Sequence, residues 1–219
     1  MYQKKREPAR LITYFLFRGA LIAVVMAVLM AELIGSLSAV ASPTSAPKGA
    51  QMNKTETVKK ETALLAGGCF WGVQDLIRKL PGVITSEVGY TGGITENPTY
   101  TQVKTGSTFH AEAVRIEFDA SKVTYEKILD LFFRLHDPTT KNQQGNDLGT
   151  QYRSSIFYLN DAQKKIAEEK IKSVDASKKW KRPVVTEVVP AKPFYRAEED
   201  HQDYLVKHPN GYTCHYLRD

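Results

Sequence analysis

One cysteine stands where its thiol could act as a nucleophile. Cys69 follows the apolar run 62–66 and two glycines, and residues with helical spacing come after it. We therefore expect Cys69 where a buried strand passes into the first turn of a helix. Free backbone N–H groups and the helix dipole favour an anion there, so we expect a thiol pKa below the usual value of about 8.5. The alternative is a small, unreactive buried residue, as free cysteines often are.

The residues around this thiol favour a reactive role. Phe70 and Trp71 would expose apolar surface at the start of a helix unless they line a pocket. Glu112 comes just before the alternating residues 113–118, and partial burial there would raise the pKa of its carboxyl and keep a proton available for donation. For Glu112 taken alone, a solvated carboxylate at the start of a strand is the favoured interpretation.

Several other polar residues lie near predicted loops. Residues 139–151 are polar and contain glycine, and a loop of that length inside a compact domain is usually functional. Asp147 lies in this loop, where a turn residue is the simplest interpretation. A phenol near a loop can donate a hydrogen bond, although each tyrosine taken singly is more often a packing residue. The tyrosines in question are Tyr90, Tyr100 and Tyr152.

The histidines and cysteines do not predict a metal site. His201 lies among acidic residues on the predicted helix 197–207, which indicates a solvated face, and His136 is expected to end its own helix. Cys69 and Cys214 are too far apart for a CxxC pair or a zinc knuckle, and a disulfide framework needs more cysteines. No spacing of His, Cys and Asp matches a ligand set.

Strands and helices alternate along the part of the chain that carries these residues. Periodicity predicts strands at 62–66, 83–90, 113–118, 155–159 and 184–189, and helices at 71–80, 99–103, 124–136, 161–173 and 197–207. Asp161 is expected to cap the fourth helix. The mixed order indicates an α+β fold. We predict a two-layer α/β sandwich with a ferredoxin-like core and a mixed, mostly antiparallel sheet.

Composition fits one folded domain with a sizeable core. The chain has 219 residues, of which 25% are charged and 42% hydrophobic. The net charge of +6 arises largely in residues 1–50. No basic stripe with interleaved aromatics is present, so we do not expect a nucleic-acid partner.

The N-terminus has the pattern of a targeting segment. Basic residues in 2–18 precede the apolar run 19–31, and a small-residue site follows at 39–41. This predicts a signal peptide over 1–41. An uncleaved membrane anchor is the alternative, although the run is shorter than the about 20 residues of a spanning helix. Both place the domain outside the cytoplasm, either periplasmic or secreted, or anchored to the membrane. Residues 42–60 predict a disordered linker, and 61–219 the folded domain.

A series of ordered motifs resembles the A-type peptide methionine sulfoxide reductases. The motifs run in the family's order from about residue 62 to the C-terminus. They are GCFWG (68–72), GYTGG (89–93), NPTY (97–100), HAEAV (110–114), HDP (136–138), QGNDLGTQYR (144–153) and AEEDHQDY (197–204). Gln74 and Phe109 depart from the pattern, because the family often has Glu and Gly there. Phe109 is next to the predicted acid strand, where it is expected to narrow the site.

The resemblance implies a role for each matching residue. The family reduces the S epimer of methionine sulfoxide, in proteins and as the free amino acid, and thereby repairs oxidative damage. Cys69 would attack the sulfoxide sulfur while Glu112 protonates the oxygen, leaving Cys69 as a sulfenic acid. The remaining roles would be hydrogen bonding to the oxygen by Tyr100 and Tyr152, ordering of the site by Asp147, and enclosure of the S-methyl group by Phe70 and Trp71.

The resemblance also implies how the enzyme is recycled. Cys214 would condense with the sulfenic acid to a disulfide, and the turn-rich C-terminal tail around it is expected to be mobile. Electrons would come from a thioredoxin-like protein or a dithiol, with no bound cofactor. The partners would be oxidised proteins and peptides, and we expect a monomer.

Two rival functions are compatible with parts of the sequence. A Cys–His hydrolase would need a histidine such as His201 as a base near Cys69. A non-enzymatic extracytoplasmic domain would hold Cys69 and Cys214 in a permanent structural disulfide.

Overall fold

Six strands form the mixed sheet on which the domain is built. The computed structural model describes residues 58–219. The predicted segment 1–41 and residues 42–57 of the predicted linker lie outside the described residues. The strands are β1 (Lys60–Gly67), β2 (Val83–Thr91), β3 (Ala111–Asp119), β4 (Gln143–Gln144), β5 (Asp147–Leu148), β6 (Ser154–Tyr158), β7 (Glu187–Pro190) and β8 (Tyr195–Arg196). The helices are α1 (Phe70–Ile77), α2 (Tyr100–Val103), α3 (Tyr125–Leu135), α4 (Asp161–Ala176) and α5 (Tyr204–Lys207).

The sheet confirms the predicted fold class. Its strand order is β7-β6-β1-β3-β2-β8, while β4 and β5 form a separate hairpin. The pairs β1–β3, β1–β6, β2–β3 and β2–β8 are antiparallel, and only β6–β7 is parallel among the described strands. The element order β1-α1-β2-β3-α3-β6 with β3 between β1 and β2 is the split βαβ arrangement of a ferredoxin-like core.

Alternation along β3 determines which side chains enter the main core. Val114, Ile116 and Phe118 are fully buried against the helices, whereas Arg115 and Glu117 lie on the opposite face. Glu112 continues the buried series by one step of two residues, so its carboxyl points to the core side of the sheet. The strand therefore places an acid at the end of an apolar face.

The C-terminal helix predicted over 197–207 is wrong. The segment instead contains a 3₁₀ turn, Glu199–His201, and the short helix α5, with Asp203 between them at φ 52°. The cause is the side chain of Gln202, which accepts the backbone N–H of Val88 at 3.0 Å and donates to its carbonyl at 2.9 Å. These bonds pair the segment with β2, so it does not continue as a regular helix.

The termini of α1 to α4 also differ from prediction, by up to three residues. Helix α1 ends at Ile77, three residues earlier than the apolar pattern indicated. The cap of α4 is Asn160 rather than Asp161, because the Asn160 side chain accepts the N–H of Gln163 at 2.9 Å. The part of the chain that the structure describes contains no helix with the length and apolarity that crossing a membrane requires.

Phe109 has a backbone conformation that favours glycine. Its φ is 56°, in the left-handed region, and its side chain is 55% exposed. The bend lies two residues before β3. Its conformation gives a physical reason for glycine at this position.

We predict that Phe109→Gly unfolds with a free energy at least equal to that of the native protein, because glycine has no side chain to strain at this φ. Phe109→Ala keeps the strain and should be less stable than the glycine variant by about 1 kcal/mol. Urea denaturation of the three proteins measures the difference. An alanine variant as stable as the glycine variant would contradict this account.

Candidate active site

Cys69 lies at the junction that the sequence predicted. Strand β1 ends at Gly67, Gly68 turns the chain with φ 102°, and Cys69 is the N-cap residue of α1. The thiol is 6% exposed. The turn places the sulfur at the start of the helix, above the edge of the core.

The predicted lowering of the Cys69 pKa is wrong for the ligand-free site. Burial raises the pKa of the thiol, and the negative charge of Glu112 raises it further. The backbone N–H of Trp71 at the helix start acts in the opposite direction but is the smaller effect. The start of this eight-residue helix therefore does not compensate for desolvation, and Cys69 is a thiol in the ligand-free site.

Glu112 is a buried acid beside the cysteine, not a solvated carboxylate. Only 1% of the residue is exposed, and Oε2 accepts the backbone N–H of Phe70 at 3.1 Å. Burial raises the pKa of the carboxyl to about 8. Oε1 is buried without a hydrogen-bond partner among the described residues. The free oxygen of a protonated carboxyl in this position can donate a proton to a bound ligand.

The predicted tyrosines Tyr100 and Tyr152 lie around this acid. Tyr100 begins α2, and Tyr152 ends the 3₁₀ turn Thr150–Tyr152. Burial is the main cause that raises the pKa of both phenols, and the negative charge of Glu112 raises it further. Both hydroxyls therefore remain protonated and can donate hydrogen bonds.

Glu198 holds Tyr90 and Tyr100 in place. Its Oε2 accepts the hydroxyl of Tyr90 at 2.8 Å, and its Oε1 accepts the backbone N–H of Tyr100 at 2.8 Å. Tyr90 is fully buried. Sequence reasoning missed Glu198, because its partners come from distant strands and loops.

The aromatic rings of Phe70 and Trp71 are held by Tyr90 of β2 and by residues of the C-terminal segment. Phe70 packs in the core against Tyr90, with ring centroids 5.9 Å apart. Trp71 stacks on Tyr204 with centroids 3.8 Å apart, and its indole N–H donates to Nδ1 of His201 at 3.1 Å. These contacts fix the orientation of both rings next to the thiol.

The prediction that His201 lies on a solvated face is wrong. Its ring is half-buried and also packs against Tyr100, with centroids 4.4 Å apart. The expected exposure of His201 followed from the predicted regular helix, which the segment does not form. The sequence signal for this contact was Trp71, 130 residues before His201, because a partly buried indole N–H requires an acceptor.

Cys214 lies on a docked C-terminal tail. Both cysteines are free, and the Cys214 thiol donates to Oδ2 of Asp147 at 3.3 Å. The hydroxyl of Tyr212 donates to the other oxygen of Asp147 at 3.1 Å. The loop residue Asp147 therefore binds the tail, and the predicted mobility of the tail stays a prediction.

Gln74 replaces the glutamate that is common in the related motif. The residue is buried, its amide nitrogen donates to the carbonyl of Ser86 at 3.0 Å, and its amide oxygen accepts the N–H of Asp203 at 3.0 Å. A neutral amide can make both bonds at once and joins α1 to the C-terminal segment. Within residues 58–219, no three His, Cys, Asp or Glu side chains cluster in a way that could hold a metal ion.

The site holds a buried thiol at a helix start, with a protonated carboxyl and the aromatic rings of Phe70 and Trp71 beside it. These groups define a cysteine-dependent enzyme site. Comparison with known proteins identifies the particular family. A profile described as "Peptide methionine sulfoxide reductase" matches residues 61–219. The chain belongs to the peptide methionine sulfoxide reductase family.

Individual relatives agree with this assignment. The chain is 58% identical over 156 residues to peptide methionine sulfoxide reductase MsrA of Nocardia farcinica, which covers 71% of this chain and 89% of the relative. Reduced Mxr1 from Saccharomyces cerevisiae is 38% identical, with a TM-score of 0.70 over 73% of this chain and 93% of the other. Mxr1 in a complex with Trx2 matches at 26% identity, with a TM-score of 0.51 over 77% and 97%.

We predict that acid breaks the contact between Trp71 and His201. Burial lowers the pKa of His201, so Nδ1 remains an acceptor at neutral pH and is protonated only below the ordinary value of about 6.5. In a Trp180→Phe background Trp71 is the only tryptophan, and its fluorescence should change with a midpoint below 6.5.

Adding His201→Phe should remove this transition. A transition that survives the substitution, or a midpoint at or above 6.5, would show that the indole does not report on this histidine.

Proposed function

We propose that this protein reduces the S epimer of methionine sulfoxide, in proteins and as the free amino acid, to methionine and so repairs oxidative damage. The observation that carries the proposal is the contact between the start of α1 and Glu112, which places a protonated acid beside Cys69. Membership of the family and the names of the relatives support it.

The proposed first step transfers oxygen from substrate sulfur to cysteine sulfur. The sulfoxide oxygen is a poor leaving group until it is protonated, and the unpaired Oε1 side of Glu112 can supply that proton. The Cys69 sulfur attacks the sulfoxide sulfur, and its thiol proton passes to the carboxylate that Glu112 becomes when it gives its own proton to the oxygen. After the sulfur–oxygen bond of the substrate breaks, methionine leaves and Cys69 holds the oxygen as a sulfenic acid.

The surroundings of the acid suit a neutral sulfoxide. At neutral pH Glu112 keeps its proton, so it places no negative charge beside Cys69 before it gives that proton to the sulfoxide. The hydroxyls of Tyr100 and Tyr152 can donate to the same oxygen. Phe70 and Trp71 provide the apolar wall for the S-methyl group.

Recycling is proposed to use Cys214 and an external thiol. Cys214 attacks the sulfenic acid, a Cys69–Cys214 disulfide forms and water leaves. A thioredoxin-like protein then reduces the disulfide, and no bound cofactor takes part. The solved complex of Mxr1 with Trx2 supports this choice of reductant. We also propose that the protein acts outside the cytoplasm, on the basis of its N-terminal signal or anchor pattern, and that it acts as a monomer.

The rival functions have less support. In a Cys–His hydrolase a histidine would serve as the base, but Nδ1 of His201 already accepts the Trp71 indole. A structural disulfide would join two cysteines that are free in this structure.

We expect the protein to consume half of a racemic methionine sulfoxide peptide in the presence of dithiothreitol, because one epimer fits the site. Cys69→Ser should be inactive. Cys214→Ser should form about one methionine per protein molecule when thioredoxin is the only reductant. Chiral chromatography and methionine release measure these outcomes, and a folded protein that leaves both epimers unchanged would refute the proposal.

Glu112→Gln should lower kcat/KM at neutral pH by about 10²–10⁴-fold, because the amide cannot donate a proton in the reaction. The native rate should fall as pH rises through about 8, where Glu112 ionises, and the variant should lack this decline.

The same carboxyl should affect folding. An unfolded glutamate ionises near pH 4.3, whereas the folded residue keeps its proton to about 8, so the native protein should lose stability as pH rises between these values. Glu112→Gln should remove that slope in urea denaturation. A slope that is unchanged in the variant would assign it to another group.

A further inference from the structure

The C-terminal tail brings a second histidine to the site at the residue after Cys214. His215 is buried, with 7% of its surface exposed. Its Nε2 lies 2.8 Å from the carbonyl oxygen of Gly67, and its Nδ1 lies 3.5 Å from the sulfur of Cys214. One imidazole thus links the catalytic turn to the second thiol.

These contacts determine the tautomer of the ring. A carbonyl oxygen can only accept, so the hydrogen must be on Nε2. Burial lowers the pKa of His215, and the ring is therefore neutral. Nδ1 is left with a lone pair that faces the Cys214 thiol, and the Gly67 carbonyl orients the ring from the opposite side.

Two glycines beside Cys69 leave the space that this ring occupies. A Cβ atom added at Gly72 would lie 2.6 Å from Nδ1 of His215 and 2.5 Å from Oγ1 of Thr213. A Cβ atom at Gly68 would lie 3.1 Å from Nε2. The tail therefore occupies a slot formed by glycines on both sides of Cys69.

We propose that His215 is the general base that takes the proton of Cys214 in the disulfide-forming step. This inference rests on the proposed function, which supplies the Cys69 sulfenic acid. The thiol proton moves to Nδ1, the sulfur–sulfur bond forms and the sulfur–oxygen bond of Cys69 breaks. The departing hydroxide takes up one proton and the imidazolium releases one, so water leaves and the histidine is neutral again.

Asp147 is the other acceptor that faces this thiol, at 3.3 Å. An imidazole matches a thiol in proton affinity more closely than a carboxylate does, so it is the more effective base. Transfer to His215 also leaves an imidazolium beside the new thiolate, which stabilises that anion. Asp147 then stabilises the positive charge on the ring.

His215→Gln separates the base from the anchoring contact. The glutamine amide can still donate to the Gly67 carbonyl, but it offers no basic nitrogen to Cys214. His208→Gln removes an exposed histidine that directly follows α5 and is the matched control. The full-length proteins, solubilised in detergent and reduced, are mixed with a methionine sulfoxide peptide without reductant.

Three quantities are followed over pH 7–9: methionine release, Cys69 sulfenic acid trapped by dimedone, and loss of free thiols. We expect His215→Gln to form the disulfide at least tenfold more slowly at pH 7 and to accumulate sulfenic acid. Its rate should rise about tenfold per pH unit, because hydroxide replaces the missing base. The native protein and His208→Gln should change far less. The other groups that titrate or carry charge near the ring are the same in all three proteins. They are Cys214, Asp147, His136 and Arg218.

Disulfide formation at the native rate in His215→Gln would overturn the inference. A slower rate with the native pH profile would also overturn it, since that result would indicate a purely structural contact. If the native protein releases no methionine, the proposed function fails instead. Hydrogen peroxide can then oxidise Cys69 directly, so the same comparison of disulfide rates still tests His215.

Discussion

One hydrogen bond connects the centre of the sheet to the helix that carries the reactive cysteine. Oε2 of Glu112 accepts the N–H of Phe70, one of the backbone groups that the start of a helix leaves unpaired. The bond fixes the carboxyl beside Cys69 and leaves its second oxygen free. Because the acid stands at the end of the buried face of β3, the same burial that forms the core also keeps the carboxyl protonated.

The last part of the chain completes a site whose first half lies in the core. Glu198 positions two tyrosines, Gln202 ties the segment to β2, and His201 orients the indole of Trp71. His215 then reaches the carbonyl of Gly67, just before the catalytic turn. Local sequence at residues 67–72 thus supplies the cysteine and its aromatic neighbours, while a segment more than 100 residues away holds them in one geometry.

Regular periodicity made much of the fold predictable. The alternation of Val114 and Ile116 identified the central strand, and the glycines before Cys69 identified the turn. The predicted site residues around Cys69 and Glu112 lie together. Cys69 was recognisable from local features, whereas the role of Glu112 followed from the family resemblance. The helix over 197–207 failed, because the Gln202 side chain finds its partners on β2, which no local pattern encodes.

The electrostatics were harder to predict than the positions. A helix start favours a thiolate in isolation, but the depth of Cys69 and the charge of Glu112 depend on packing by the whole domain. His201 was misplaced for a related reason, since its exposure followed from an assumed helix. Long-range contacts decide both properties.

Because the two cysteines are far apart in sequence, the free energy of unfolding would change during the proposed catalytic cycle. A Cys69–Cys214 bond would close a loop of roughly 145 residues, and the lost freedom of the unfolded chain would stabilise the oxidised form by about 5 kcal/mol. The enzyme would therefore resist unfolding most strongly just after it has been oxidised by its substrate. Under oxidising conditions, when reductant is scarce, the protein would accumulate in the form that is most stable against unfolding.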